Sequence, residues 1–118
     1  MGNQKLAEEV LISPVLVSVS DTLGGTLRCK TATLFSAMPN QSVQISFANP
    51  SSDNSAGYAV YYNNGGSLLF SGTLKPGVST SKIIPFSEEA NSYRVQNTSS
   101  CGKTKTTPYL MWSAVLSQ

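Results

Sequence analysis

"YAVYYNNGGSLLFSGTLKPGVSTSKIIPF", residues 58–86, is the stretch whose reading decides the fold. Tyr58, Val60 and Tyr62 alternate with Ala59 and Tyr61, the period of two that sends successive side chains to opposite faces of a strand. Asn63-Asn64-Gly65-Gly66 then breaks the run. Asn64-Gly65 suits a two-residue type I′ turn, which needs positive φ at both centres and matches the twist of the strands it joins. A second strand is expected over 67–74. Lys75-Pro76-Gly77 follows, with Pro presetting the first turn position and Gly accepting positive φ, and a third strand is expected over 79–86.

The same alternation extends outward in both directions. Upstream, Val43, Ile45 and Phe47 alternate with Gln44 and Ser46. Leu27, Cys29, Thr31, Thr33 and Phe35 share one face, with Arg28 and Lys30 on the other, and Val15, Val17 and Val19 alternate with Leu16, Ser18 and Ser20. Downstream, strands are expected over 92–97 and 108–116. Leu23-Gly24-Gly25, Met38-Pro39-Asn40 and Asn49-Pro50-Ser51-Ser52-Asp53-Asn54 carry turn chemistry. The pattern predicts an all-β chain, a single β-sandwich or jelly roll of about eight antiparallel strands over 15–118. Residues 1–14 are expected to form a flexible N-terminal segment or connector. Within it, 3–11 is the one helix-favouring stretch, too short to be stable alone.

Composition narrows the function. The chain has 118 residues, a length for one domain. Charged residues make up 12%, against about 25% in ordinary soluble domains, and Ser, Thr, Asn and Gly fill the difference. A formal charge of +2 is too small and too scattered for nucleic-acid binding. No apolar run is long enough to span a membrane as a helix, and MGNQKLAEEV lacks the basic-then-apolar pattern of a secretory leader.

With no histidine, the common nucleophile triads and histidine metal sites are excluded, and two cysteines alone cannot complete a zinc site. The acids Glu8, Glu9, Asp21, Asp53, Glu88 and Glu89 are scattered, and the two adjacent pairs would point to opposite faces of an extended chain. Neither enzymatic activity nor a cofactor or metal is expected.

Three groups remain as candidate sites. Cys29 and Cys101 allow a disulfide within the chain, two free thiols, or a bridge to another subunit. Tyr58 and Tyr61, with Trp112 near the C-terminus, offer aromatic surface for a subunit contact or a glycan, or else pack as ordinary cross-strand pairs. Leu110, Trp112, Ala114 and Leu116 read as the core face of the last strand, yet Tyr109, Met111 and Val115 make its other face apolar too, so a second covering surface is expected. Val10, Leu11, Ile12, Val15, Val17 and Val19 form an extended apolar stretch behind a polar tail. It is either the first strand of the chain's own sheet or an arm that adds to a neighbour's.

From Thr22 to Gln118, "YYNNGGSLLFSGTLKPGVSTSKIIPF", "YRVQNTSS" and the closing "YLMWSAVLSQ" follow in an order that resembles the subunits of bacillus endospore appendages. The resemblance implies a small β-sandwich that polymerises into disulfide-linked fibres through an N-terminal connector. The connectors of that family carry cysteines near the N-terminus, and here none precedes Cys29. Cys29 and Cys101 match only the domain cysteines that would receive a connector.

The expected function is therefore a structural subunit that self-assembles into a surface appendage, fibre or shell, through edge strands and an N-terminal arm. Its partners would be copies of itself, outside the cell or on a cell or spore surface. The alternative is a carbohydrate-binding module using Tyr58, Tyr61 and the 49–57 loop.

Overall fold

The computed structural model describes residues 17–26, 31–62, 66–85, 88–101 and 106–117. They form eight strands: β1 (Val17–Thr26), β2 (Ala32–Ala37), β3 (Ser42–Ala48), β4 (Ala56–Tyr62), β5 (Ser67–Leu74), β6 (Ser79–Ile84), β7 (Asn91–Asn97) and β8 (Thr106–Ser117). No helix occurs among the described residues. The 3–11 stretch lies outside them, as do Val10, Leu11, Ile12, Val15 and Cys29.

Pairing is nested and antiparallel: β4 with β5, β3 with β6, β2 with β7, and β1 with β8. Two further pairings, β3 with β8 and β4 with β7, join these ribbons into sheets of order β1-β8-β3-β6 and β2-β7-β4-β5. A long hairpin folded back on itself in this way is a jelly roll.

The alternation seen in the sequence is the inside-outside pattern of the sandwich. Val43, Ile45 and Phe47 on β3 are buried, as are Leu110, Trp112, Ala114 and Leu116 on β8. Aromatic rings tie the two sheets together. Phe35 stacks on Tyr93 at 5.2 Å between centroids and lies 5.5 Å from Trp112 of the opposite sheet. Phe47 stacks on Tyr58 at 4.4 Å, also across the sheets. Gly72 makes room for that tyrosine, since a Cβ there would lie 2.5 Å from its phenol oxygen.

Among the described residues, three of the four expected turn segments, Met38–Asn40, Asn49–Asn54 and Lys75–Gly77, do interrupt the strands. Lys75-Pro76-Gly77 turns with Gly77 at φ +75° and the Val78 amide donating to the Lys75 carbonyl at 3.1 Å. That turn carries the chain from one sheet to the other. At Met38-Pro39-Asn40 the Gln41 amide donates to the Met38 carbonyl, and the Met38 amide donates to the Gln41 side chain. The turn expected at Leu23-Gly24-Gly25 is not there. Gly24 and Gly25 lie inside β1, at a shift of register against β8, with φ of +106° and +107°. The glycines serve a β-bulge in which the strand runs close under its neighbour: a Cβ on Gly24 would lie 2.5 Å from the Pro108 carbonyl oxygen.

Asn97 of the facing sheet locks this bulge. Its side chain is fully buried, donating to the Leu23 carbonyl at 3.2 Å and the Pro108 carbonyl at 2.8 Å, while its oxygen accepts from the Ser99 amide at 3.0 Å. Removing it strands buried backbone groups that have no water to turn to. Asn97→Ala is expected to lower unfolding free energy by about 3 kcal/mol, read from urea denaturation.

Candidate functional site

The described residues hold no group of three or more His, Cys, Asp or Glu side chains that could bind a metal. The features worth testing are surfaces.

Two of the three aromatic residues singled out in the sequence are not on the surface. Tyr58 and Trp112 are buried in the inter-sheet seam, because the period of two places each in register with core residues of the neighbouring strand. Tyr61 alone faces outward, and it sits at the far end of β4 from the 49–55 loop, so the two do not form a common site. Val17 and Val19 do not extend as an arm: they pair with Leu116 and Ala114 as the start of β1 in the chain's own sheet. Cys101 is disulfide-bonded, and no free cysteine occurs among the described residues.

Tyr61 belongs to a row that crosses the whole second sheet. In register from edge to edge stand Leu34 on β2, Arg94 on β7, Tyr61 on β4 and Leu68 on β5. The Arg94 guanidinium lies 4.3 Å from the Tyr61 ring centroid, a cation–π contact that spreads positive charge over an otherwise apolar strip. Leu34 and Leu68, at the two ends, are 58% and 54% exposed. No single segment of sequence shows this row, because its members come from four strands that only the topology brings side by side. Leu34 and Leu68, each an outward apolar residue on an edge strand, were its one local signal.

The outer face of the first sheet is different in kind. Ser20, Ser113, Ser46 and Ser81 align across all four strands, and the Ser46 and Ser81 hydroxyls lie 2.8 Å apart. Beside them, Met111 and Tyr109 on β8 are exposed, so the second apolar face expected for the last strand is present and uncovered within the chain.

The edges differ as well. In the first sheet, Asp21 on β1 and Lys82 on β6 stand opposite the core residues Trp112 and Ile45, so each edge turns a charge toward the interior side, where a neighbouring strand would have to bury it. In the second sheet, β2 (ATLFSA) and β5 (SLLFSGTL) carry no charge and no proline.

No family model and no curated protein matches the chain. Solved structures do. A subunit of the Bacillus endospore appendages, a family of disulfide-linked pili, superposes with a TM-score of 0.54 at 10% identity, over 99% of this chain and 98% of that one. The K3 cleaved adhesin domain of Lys-gingipain from Porphyromonas gingivalis W83 superposes with a TM-score of 0.52 at 12% identity, over 74% of this chain and 62% of that one. At such identities the likeness establishes the fold.

One ionisable group is clearly perturbed. Burial raises the Tyr93 phenol above its ordinary pKa of 10.0, and the neighbouring Tyr62, stacked at 5.4 Å, pushes the same way against a hydrogen bond from Asn91. Because the folded pKa is raised, the stabilisation from neutral Tyr93 is complete below the unfolded value and is lost as pH climbs through the folded one. Thermal melts should show stability falling above about pH 10, and Tyr93→Phe, about 1 kcal/mol weaker at neutral pH, should fall less steeply there.

Proposed function

We propose that this chain is a structural subunit that self-assembles through the β2-β7-β4-β5 sheet into a surface appendage, fibre or shell. The observation that carries the reading is the pair of uncharged edges, β2 and β5, on opposite sides of one sheet and joined by the Leu34-Arg94-Tyr61-Leu68 row. An unguarded edge is a template for another strand, since its backbone donors and acceptors on one side are unpaired. Docking β5 of one copy on β2 of the next extends the sheet and repeats without limit unless the rotation closes. The row then continues across the junction, with Leu68 of one copy meeting Leu34 of the next.

The fold shared with a pilus subunit supports this reading, and so do the guarded edges of the other sheet, which confine addition to one. In this reading the 10–15 segment, ahead of β1, is the connector that reaches a neighbouring copy. The assembly lies outside the cell or on its surface, and the chain has no enzymatic role. Cys101 pairs with Cys29 inside one subunit and braces it, while subunits join without covalent links.

Light scattering and negative-stain electron microscopy test the edges. Leu68→Lys should raise the concentration for half-assembly at least about tenfold, equivalent to about 1.4 kcal/mol, by placing a charge in the new junction. Ile83→Lys, on the guarded β6 edge, should leave it unchanged. Equal effects of the two substitutions, or a monomer at every concentration, would refute the edge mechanism. Starting the chain at Leu16 removes the connector and keeps β1 whole, and should weaken polymers further. Non-reducing denaturing electrophoresis should give a monomer band and no ladder.

A further inference from the structure

The end of the sandwich where β3 passes to β4 and β7 passes to β8 holds a cleft of about 640 Å³, opening beside a second of about 400 Å³ that shares Asn54, Ser100 and Pro108. We infer that this cleft binds an uncharged saccharide. The inference is separable from the assembly reading, for the larger cleft lies at one end of the sandwich and touches neither edge strand of the second sheet, while the smaller reaches Thr73 on β5 but not Leu68.

Among the described residues, the lining carries no ionised side chain. It presents Ser51, Ser52, Asn54, Ser100 and Thr107, with Tyr109 at its margin. Hydroxyl and amide groups that both donate and accept, beside a single aromatic ring, match the alternating hydroxyls and C–H faces of a neutral sugar.

Tyr109 is positioned as a platform. Its ring lies against the backbone of Gly25, where a Cβ would come within 3.1 Å of Cε1 and 3.2 Å of the phenol oxygen. The bulge of β1 thus bounds the phenol edge of the ring. The side chain is still 52% exposed, which leaves ring surface open to a ligand. Thr107, two residues before it in the same cleft, is 1% exposed, and its hydroxyl has no hydrogen-bond partner. A buried hydroxyl without a partner is costly, and a sugar hydroxyl or a water would relieve that cost.

The walls are set before any ligand arrives. Asn49 donates to the carbonyls of Asn54 and Leu74 at 2.7 and 3.0 Å and accepts from the Ser51 amide. Ser51 in turn accepts from the amides of Asp53 and Asn54. Opposite, the Ser99 amide donates to the Asn97 side-chain oxygen, and the Ser99 hydroxyl accepts from the Gly57 amide. A braced cleft loses little loop entropy on binding.

The test is isothermal titration of the full chain with cellohexaose and with chitohexaose, in wild type and in the Leu68→Lys variant, so that assembly and binding are read separately. Saturable binding is expected with at least one of the two, in both proteins. Tyr109→Ala should weaken it at least about tenfold by removing the stacking surface, Tyr109→Phe should preserve it, and Thr107→Val should weaken it less than Tyr109→Ala. Tyr61→Ala, an aromatic change on the other sheet, should have no effect. No saturable heat with either sugar, an unchanged affinity in Tyr109→Ala, or a loss in Tyr61→Ala instead would overturn the inference.

Discussion

The structure depends on nested antiparallel pairing. Each strand pairs with the one equally far from the β4-β5 hairpin, so the register of the innermost pair constrains that of every pair outside it. Val17 and Leu116 meet although almost the whole chain separates them, and closing such a loop from an open coil would cost much conformational entropy. Nesting reduces the cost, because each inner ribbon shortens the effective loop that the next must close. Side chains alternate with a period of two, so a slip of one residue in β3, β4 or β8 would turn Phe47, Tyr58 or Trp112 respectively out of the seam. Among the described residues, register shifts occur in two places, between Leu23 and Gly25 and between Val60 and Tyr61.

That constraint leaves the two sheets with unlike outer surfaces. The first carries a row of serine hydroxyls with Tyr109, Met111 and Ile83 exposed beside it, and its edge strands turn Asp21 and Lys82 toward the interior side. The second carries Leu34, Arg94, Tyr61 and Leu68 from border to border with no charge on either edge strand. A strand that approaches the first sheet must bury an ionised group, whereas one that approaches the second meets backbone and aliphatic surface. The two sheets are therefore unlike as surfaces for another strand.

The all-β class and the strands from β3 onward were legible because their alternation is strict and their turns use Pro, Gly and Asn where the backbone demands them. Which strands neighbour which was not legible, since alternation says which face a residue takes and nothing about its lateral partner. That is why Tyr58 could be taken for surface, and why the row containing Arg94 was invisible. The glycine pair of β1 misled for a related reason. Positive φ serves a reversal and a bulge equally well, and only the presence of Pro108 and Asn97 across the gap decides between them. Tyr109 reads in the sequence as part of an apolar second face, whereas its place beside the cleft depends on Gly25 meeting its phenol edge.

Asn97 has a consequence for how the protein can be made. With Thr98 and Ser99 it spells an acceptor sequence for N-linked glycosylation, and the amide nitrogen that would carry the glycan is the one bonded to Leu23 and Pro108 in the interior. The folded chain is closed to a glycosyltransferase at this position. In a eukaryotic secretory route, where modification precedes folding, an oligosaccharide attached there would occupy the space of the bulge itself and the jelly roll could not close. A bacterial or cytosolic host avoids the conflict.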